Sequence, residues 1–245
     1  MPTVKGCHLI GSVPLPNTDA ALRQCNAGMP HRLKRIPDGE TGARNWFTFF
    51  QSRVFEPAPE MSTVFRMNSK IDKIDYSEAE VDEGVQKLKD AGPVKTGYDD
   101  VAIESYQTFK SLKEQGVLDR RLRFQASIPT TPNVLSPFVQ AAFQAKVEPI
   151  YEKGLFGAIR RLQSNIPLEE LAIQIDLAVD TAFWEGVEMY KPWFGDGNME
   201  KVKEYIVNYI VRMIGQVDEH VEVGLHNCYG ELLCTCRRPV TLRPR

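Results

Sequence analysis

Four short polar clusters contain the residue types in this sequence that could do chemistry, and each follows an apolar run. They are Gly11-Ser12, Asp38-Gly39-Glu40, Asp176 and His226-Asn227-Cys228. Carboxylates bind ammonium groups, the N–H groups of a glycine-containing turn receive a carboxylate, and imidazole and thiolate groups bind zinc. If the apolar runs are parallel strands, their carboxyl ends meet at one edge, and the sequence predicts one shared site.

The charged and metal-binding candidates have both functional and structural explanations. Asp176 interrupts a nearly continuous apolar run, so it is either a buried charge with a partner or an acid directed at a ligand, and we favour the ligand. His226 and Cys228 are two residues apart, so in an extended chain both side chains point to one side and can bind one ion. Two ligands do not complete a zinc site. Cys234 and Cys236 could supply two more, although we favour a chance clustering of cysteines.

The elements that would position these clusters alternate between β-rich apolar runs and segments of helical period, which is typical of parallel α/β proteins. Strands are predicted over 7–15, 32–37, 93–98, 122–128, 171–178 and 221–225. Helices are predicted over 17–28, 99–115, two segments between 132 and 163, and 202–217, and residues 45–74 are predicted to be a long loop with a helical turn. The helix over 202–217 has a full apolar stripe that predicts core packing: Val202, Tyr205, Ile206, Tyr209, Ile210, Met213, Ile214 and Val217.

Composition excludes several classes of protein. The 245 residues include 42% hydrophobic ones and have a formal charge of −2, so no global field favours nucleic acid or anionic lipid. No apolar run approaches the roughly 18 residues of a membrane helix, and the first residues lack a secretory signal, so we expect a cytoplasmic protein without a membrane partner. Phosphate-binding glycine loops and the Gly-x-Ser-x-Gly nucleophile elbow are absent from the sequence, which argues against nucleotide binding and serine hydrolysis.

The ordered set of motifs resembles the C-terminal catalytic barrel of cobalamin-independent methionine synthase, within the uroporphyrinogen decarboxylase and methionine synthase superfamily. The motifs are Ile10-Gly11-Ser12, Asp38-Gly39-Glu40, Ile173-Gln174-Ile175-Asp176 and the segment from His226 to Glu231. The resemblance covers the chain from about residue 7 to 231. It implies a (β/α)8 TIM-barrel type of α/β fold.

The resemblance also implies roles for individual residues. Ile10, Gly11, Ser12, Glu40 and Asp176 would bind the amino acid part of a small thiol or amino acid substrate, with Glu40 and Asp176 also as catalytic residues. His226 and Cys228 would bind zinc, which lowers the pKa of a bound thiol so that the thiolate can take a methyl group from a folate-type donor. The implied activity is therefore a zinc-dependent methyltransferase.

The barrel is predicted to be incomplete. Only 19 residues follow His226, too few for further βα units of about 30 residues each, so about six of the eight units are expected. Residues 1–231 would form the barrel domain, and 232–245 an irregular basic tail. The family's remaining zinc ligands, a Glu and a Cys, lie downstream of the His-x-Cys motif and have no counterpart in this tail.

Three hypotheses remain open from the sequence. The first is zinc-dependent methyl transfer to a small thiol or amino acid. The second is a truncated, catalytically altered paralogue with an accessory role in secondary-metabolite biosynthesis, since a fold does not fix a function. The third is a protein that self-associates through the open edges of its sheet.

Overall fold

The fold is a mixed α/β arrangement built on one parallel sheet. The computed structural model describes residues 6–45, 48–63, 75–187 and 190–229. Within these ranges the strands are β1 (Arg35–Pro37), β2 (Arg123–Pro129), β3 (Leu171–Leu177) and β4 (Glu222–Asn227). The helices are α1 (Thr18–Gly28), α2 (Glu78–Asp90), α3 (Tyr98–Glu114), α4 (Thr131–Phe138), α5 (Ala141–Asn165), α6 (Val179–Trp184) and α7 (Met199–Ile214). No helix in these ranges is long and apolar enough to cross a membrane.

The four strands lie in the sheet in their sequence order, and every neighbouring pair is parallel. Helices connect successive strands, as parallel pairing requires. A single parallel bridge between Cys7 and Leu33 places the N-terminal segment beside the chain that enters β1. The carboxyl ends of all four strands therefore share one edge of the sheet. The predicted residues Asp38, Asp176 and His226 lie at or just after these ends.

The sheet is curved. Neighbouring strands are about 4.8 Å apart, so β1 and β4 would be about 14 Å apart in a flat sheet. Yet the Arg35 guanidinium on β1 lies 3.8 Å from Glu222 on β4, and 3.4 Å from the position that a Cβ on Gly224 would take. The side chains of β1 and β4 therefore meet across a concave face.

The two faces of the sheet differ in polarity. The convex face is apolar and packs against helices, with Ile36, Phe124, Ile128, Ile173 and Ile175 fully buried. The concave face carries polar side chains at alternate positions of the same strands: Arg123, Gln125 and Ser127 on β2, Gln174 and Asp176 on β3, and Glu222 and His226 on β4. We call these seven residues the polar face. The prediction that β3 is a buried strand is confirmed, because all seven of its residues are buried.

Several predicted elements are confirmed with small shifts of their ends. Helix α1 has Asn17 as its N-cap, with its side chain accepting a bond from Ala20 N at 2.9 Å. Helices α3, α4, α5 and α7 and strands β1, β2 and β4 also lie within the predicted segments or overlap them closely. In α7 the stripe of Val202, Ile206, Tyr209 and Met213 is buried, whereas Ile214 is exposed.

Two predicted strands were wrong. The segment 7–15 forms only the bridge at Cys7, because the carbonyls of Leu9 and Ile10 accept bonds from glutamine side chains instead of a neighbouring strand. Residues 93–98 form no strand either, since Gly92 and Gly97 at its borders adopt left-handed conformations, with φ of 102° and 76°. The sequence predicted six strands, and the described residues contain four of them.

Helix α2 was missed. The stretch between the predicted loop over 45–74 and the predicted strand over 93–98, for which no element was predicted, folds as α2 with a capping box between Ser77 and Glu80. The Ser-x-x-Glu spacing is a helix-start signal that the sequence contains. The loop prediction over 45–74 is confirmed in part by short 3-10 turns at Phe49–Phe55 and Pro59–Met61, and residues 64–74 lie outside the described ranges.

Candidate functional site

Ser12 and Glu40 form the first half of the site. The Ser12 hydroxyl donates to the Glu40 carboxylate, which joins the N-terminal segment to the loop after β1. Glu40 has a φ of 48°, a left-handed conformation that is uncommon for a residue other than glycine. The conformation is held by its own backbone N–H, which donates to Asp38 Oδ1 at 2.9 Å. Backbone strain of this kind is most frequent at functional sites, so it supports a functional role for the loop that contains Glu40.

Asp38 is a structural residue of the same loop. Its carboxylate forms an ion pair with Arg44 at 2.7 Å, and both side chains are largely buried. The charge of Asp38 is already neutralised by Arg44, and its carboxylate accepts from Glu40 N, so of these two acids Glu40 is the one available to a ligand. The ion pair of Asp38 and Arg44 fixes the loop that contains Glu40.

A glutamine network organises the middle of the polar face. Gln174 Nε2 donates to Ile10 O at 2.6 Å and to Asp176 Oδ1 at 2.8 Å. Since a backbone carbonyl only accepts, the orientation of the Gln174 amide is fixed, and its Oε1 accepts from Gln125 Nε2 at 3.1 Å. The same Oε1 lies 2.9 Å from His8 Nε2, so that nitrogen must carry a proton.

Asp176 and His226 lie opposite each other on β3 and β4. They are paired in the parallel register, and His226 Nδ1 lies 2.8 Å from Asp176 Oδ1. Because Oδ1 also accepts from Gln174, we assign the proton of this bond to His226 Nδ1. The lone pair of His226 therefore resides on Nε2. A carboxylate that holds the far nitrogen of a histidine is the usual way in which proteins orient a catalytic or metal-binding imidazole.

Burial shifts the pKa of both acids. Burial is the main cause that raises the pKa of Glu40 to about 7, reinforced by the charges of Asp176 and Asp38 and opposed by the Ser12 hydrogen bond and Arg44. Burial also raises the pKa of Asp176, opposed first by its hydrogen bond from His226. A carboxyl group with a pKa near neutrality can both give and take a proton under physiological conditions.

The two metal-ligand candidates fit a zinc site in part. Imidazole and thiolate are ligands that zinc prefers. The Asp176 carboxylate holds His226 at Nδ1, and Cys228 is a free, half-buried thiol two residues further on. Its backbone N–H donates to Leu177 O at 2.7 Å, which continues the alignment of β4 with β3. No group of three or more His, Cys, Asp or Glu side chains suited to a metal occurs among the described residues. Cys234 and Cys236 lie outside the described ranges.

The structure thus brings most of the predicted residues to one region. Ser12 contacts Glu40, and Asp176 contacts His226. Ile10 contributes its carbonyl to Gln174, while its side chain is half exposed. Gly11 is close to Glu40, because a Cβ at this position would lie 2.8 Å from Glu40 Oε1. Asp176 has both a protein partner and a place in the site, so the two explanations offered for it are compatible.

Four functional candidates were missed from the sequence. They are His8, Arg44, Gln125 and Gln174, and all four contact residues of the site. The two glutamines carried a usable signal, because each interrupts an apolar strand two residues before another polar residue, Ser127 or Asp176. With the period of two in a strand, that spacing places both side chains on one face. His8 lies in a loop and Arg44 ends a short 3-10 turn, Gly42–Arg44, and neither carried such a signal.

A small pocket opens beside Glu40. We call it the inner pocket, and its lining residues are Pro37, Asp38, Glu40, Arg44, Tyr98, Ala102, Gln125, Ala126 and Ser127. It has room for about one water-sized group. The site can therefore take the end of a ligand rather than a whole large molecule in this conformation.

Comparisons with protein families, with characterised proteins and with solved structures find no significant match. The site is therefore characterised by its geometry. Acidic and imidazole side chains lie at the carboxyl ends of parallel strands, and a small pocket opens beside them.

Proposed function

We propose that this protein is a methionine-synthase-like enzyme that binds a small thiol or amino acid and transfers a methyl group to it. The observation that carries the proposal is the pairing of Asp176 with His226 at the same sheet edge as Ser12 and Glu40. These residues come from four separate parts of the sequence, and their order along the chain is that of the motifs which suggested the family.

The proposed fold is an incomplete barrel of the (β/α)8 type. Its support is the parallel sheet with strands in sequence order, and the curvature that lets Arg35 on β1 reach Glu222 on β4. A barrel is a parallel sheet curved in this direction until it closes, and its active site lies at the carboxyl ends of the strands.

The residues of the chain divide into binding and proton-transferring roles. The turn at Gly11-Ser12 would receive a carboxylate of the substrate through its N–H groups. Glu40 would hold an ammonium group or take a proton from the acceptor, as its pKa of about 7 allows. Asp176 would orient His226 through Nδ1, so that Nε2 faces the reacting group.

His226 and Cys228 would hold zinc, if a third ligand is supplied from outside the described residues. When bound, zinc lowers the pKa of a substrate thiol, so that thiolate exists at neutral pH. The methyl donor is proposed to be of the folate type.

Metal analysis combined with a transfer assay tests the proposal. We expect about one zinc per chain in freshly purified protein, lost in His226→Ala and Cys228→Ser but retained in His220→Ala, which removes an exposed histidine of the preceding loop. L-Homocysteine and 5-methyltetrahydrofolate should then give methionine. Zinc-free wild-type protein that neither binds L-homocysteine nor forms methionine would overturn the proposal.

A second candidate is the altered paralogue with an accessory role in secondary metabolism. The observation that favours it is the near-neutral pKa of Glu40, because this acid and His226 could perform acid–base chemistry on a small molecule without methyl transfer. Complementation of a methionine auxotroph separates the candidates, since only the first predicts growth. In both cases the protein is proposed to act in the cytoplasm.

Self-association through an open sheet edge also stays a prediction. On β4, the convex-facing side chain of Leu225 is 52% exposed, whereas Ile173 and Ile175 on β3 are fully buried. Light scattering of the purified chain tests it, and a monomer at high concentration would exclude it.

A further inference from the structure

Helix α7 has an apolar face that no described residue covers. On one side the helix packs against α5, where Arg212 Nε lies 3.0 Å from Glu152 Oε1. Val207, Val211 and Ile214 lie roughly 100–160° around the helix from Arg212, at the spacing i, i+4 and i+7. All three are exposed, Val211 by 60%. An apolar stripe on the side away from the neighbouring helix is typical of an interaction surface.

The outer edge of β4 continues this stripe. Among the described strands, β4 pairs with β3 alone. The N–H of Cys228 donates to Leu177 O on β3, and the backbone groups of successive residues point to alternate sides of a strand. The N–H and C=O groups of Val223 and Leu225 therefore point away from β3. Their side chains lie on the convex face, where the helices pack. We call Val223, Leu225 and the apolar stripe of α7 the edge surface.

A second copy of this chain is complementary to the edge surface. If two β4 strands pair antiparallel about a two-fold axis at Gly224, Val223 of one chain lies opposite Leu225 of the other. Both residues have outward backbone groups, so they exchange two hydrogen bonds, and their apolar side chains meet on the convex face. On the polar face Glu222 lies opposite His226, so no like charges oppose each other.

Neighbouring registers fit less well. With the axis at Leu225, Val223 would lie opposite the polar Asn227. With the axis at Val223, only residues 222–224 of β4 would be paired within the strand. An axis between two residues would oppose side chains that belong to different faces of the sheet. The strand therefore favours the axis at Gly224.

The same two-fold axis brings two copies of α7 together. A helix that connects neighbouring parallel strands lies over them, so each α7 would lie about one strand spacing from the axis. The two helices would then be about 10 Å apart, close to the 8–10 Å of packed helices. They would run antiparallel, with the stripe of Val207, Val211 and Ile214 turned toward the partner.

We propose that this protein forms a symmetric dimer through the edge surface, with β4 paired antiparallel to β4 of the partner and α7 packed on α7. The inference deepens the self-association predicted above, because it names the occupant, the symmetry and the register. It does not depend on methyl transfer. The dimer joins two four-stranded sheets into one of eight strands.

Gly224→Cys tests the register. Opposed residues at this axis form a non-hydrogen-bonded pair with Cα atoms about 4.5 Å apart, within the range of disulfide bonds. The new Cβ would meet only the end of the Arg35 side chain, at 3.4 Å. After mild oxidation, we expect about 10-fold more disulfide-linked dimer than in Glu83→Cys, which places a thiol on the exposed face of α2. Fragment-ion mass spectrometry should locate the link at position 224 in both chains.

Val211→Glu tests the helical part of the edge surface. Sedimentation equilibrium of the wild-type chain should give about twice its mass of 27.8 kDa. The substitution should weaken the dimer at least about 10-fold, because it places a charge against its own symmetry copy in an apolar contact. Ser111→Glu adds the same charge to an exposed position of α3 and should leave the dimer unchanged. Both variants should keep the circular dichroism spectrum of the wild-type protein.

Each outcome decides the inference. A dimer that Val211→Glu does not weaken would support self-association and overturn this interface, and so would a folded Gly224→Cys variant without a link at position 224. A wild-type monomer at about 100 µM would overturn the dimer. Hydrogen exchange then shows what covers the edge of that monomer, since slow exchange at Val223 and Leu225 N–H would indicate residues 230–245 of the same chain. A linked dimer without methyl transfer would support the dimer and count against the proposed function.

Discussion

Glu40→Gln should make the protein more stable at pH 8 and raise its stability much less at pH 5. The carboxyl group is 6% exposed, and its pKa rises from 4.5 to about 7 on folding, chiefly through burial. The folded state therefore holds this proton more tightly than the unfolded state does. The protonated carboxyl group of Glu40 therefore contributes stability that is fully present below about pH 4.5. This contribution is lost as the pH rises to about 7.

The magnitude follows from the two pKa values. A difference between 4.5 and about 7 corresponds to about 3 kcal/mol of stability lost across this pH range. Glutamine keeps the size of the side chain and an oxygen that can accept from Ser12, and it does not ionise. We therefore expect Glu40→Gln to exceed the wild-type protein by less than about 1 kcal/mol at pH 5 and by about 3 kcal/mol at pH 8.

Urea unfolding followed by tryptophan fluorescence and circular dichroism measures this difference at both pH values. Glu83→Gln is the matched control, because its carboxylate is largely exposed on α2. It should change stability by less than about 0.5 kcal/mol at either pH. If the difference between Glu40→Gln and the wild-type protein is the same at pH 5 and pH 8, the argument from burial is refuted.

Three other substitutions give distinct outcomes. Asp180→Asn should reduce the loss of stability between pH 5 and pH 8 in urea unfolding, because burial raises the pKa of this fully buried acid to about 7 and the ionised form is lost from the variant. Gly11→Ala should weaken binding of the proposed amino acid substrate at least 10-fold in titration calorimetry, because the new Cβ would displace the carboxylate of Glu40. The melting temperature should change little, since only the end of that side chain moves. Asp176→Asn should lower zinc content measured by atomic absorption, because the amide holds His226 Nδ1–H more weakly than a carboxylate does; unchanged zinc content would contradict this role.

The elements with strong periodic patterns were predictable from the sequence. Strand β3 is a nearly continuous apolar run that is buried on both faces, and helix α7 has an apolar stripe of period 3.6 that buries one face. The segments 7–15 and 93–98 were predicted to be strands from their apolar residues, but proline and glycine interrupt both. In the first, side-chain amides of distant strands take the place of a partner strand, and no local pattern reveals them.

The residues of the site were predictable where chemistry and strand ends coincide. Asp176 and His226 stand at the end of apolar runs, and the parallel register brings them together. Gln125 and Gln174 were missed because a neutral amide in a strand has no charge to suggest a role. Their function depends on curvature, which places the side chains of separated strands within reach of one segment.

Curvature also links the fold to the proposed chemistry. A flat parallel sheet would keep Gln174 on β3 far from the carbonyl of Ile10, which lies beyond β1, yet they are 2.6 Å apart. The bond ties the turn at Gly11-Ser12 to Asp176 through a single amide. Through this amide the turn at Gly11-Ser12 and the pair of Asp176 and His226 keep one geometry, and Gln125 donates to the same amide through its Nε2. Replacing Gln174 should therefore disturb the turn and the histidine together, whereas replacing Gln125 leaves the bonds from Gln174 to Ile10 O and Asp176 in place.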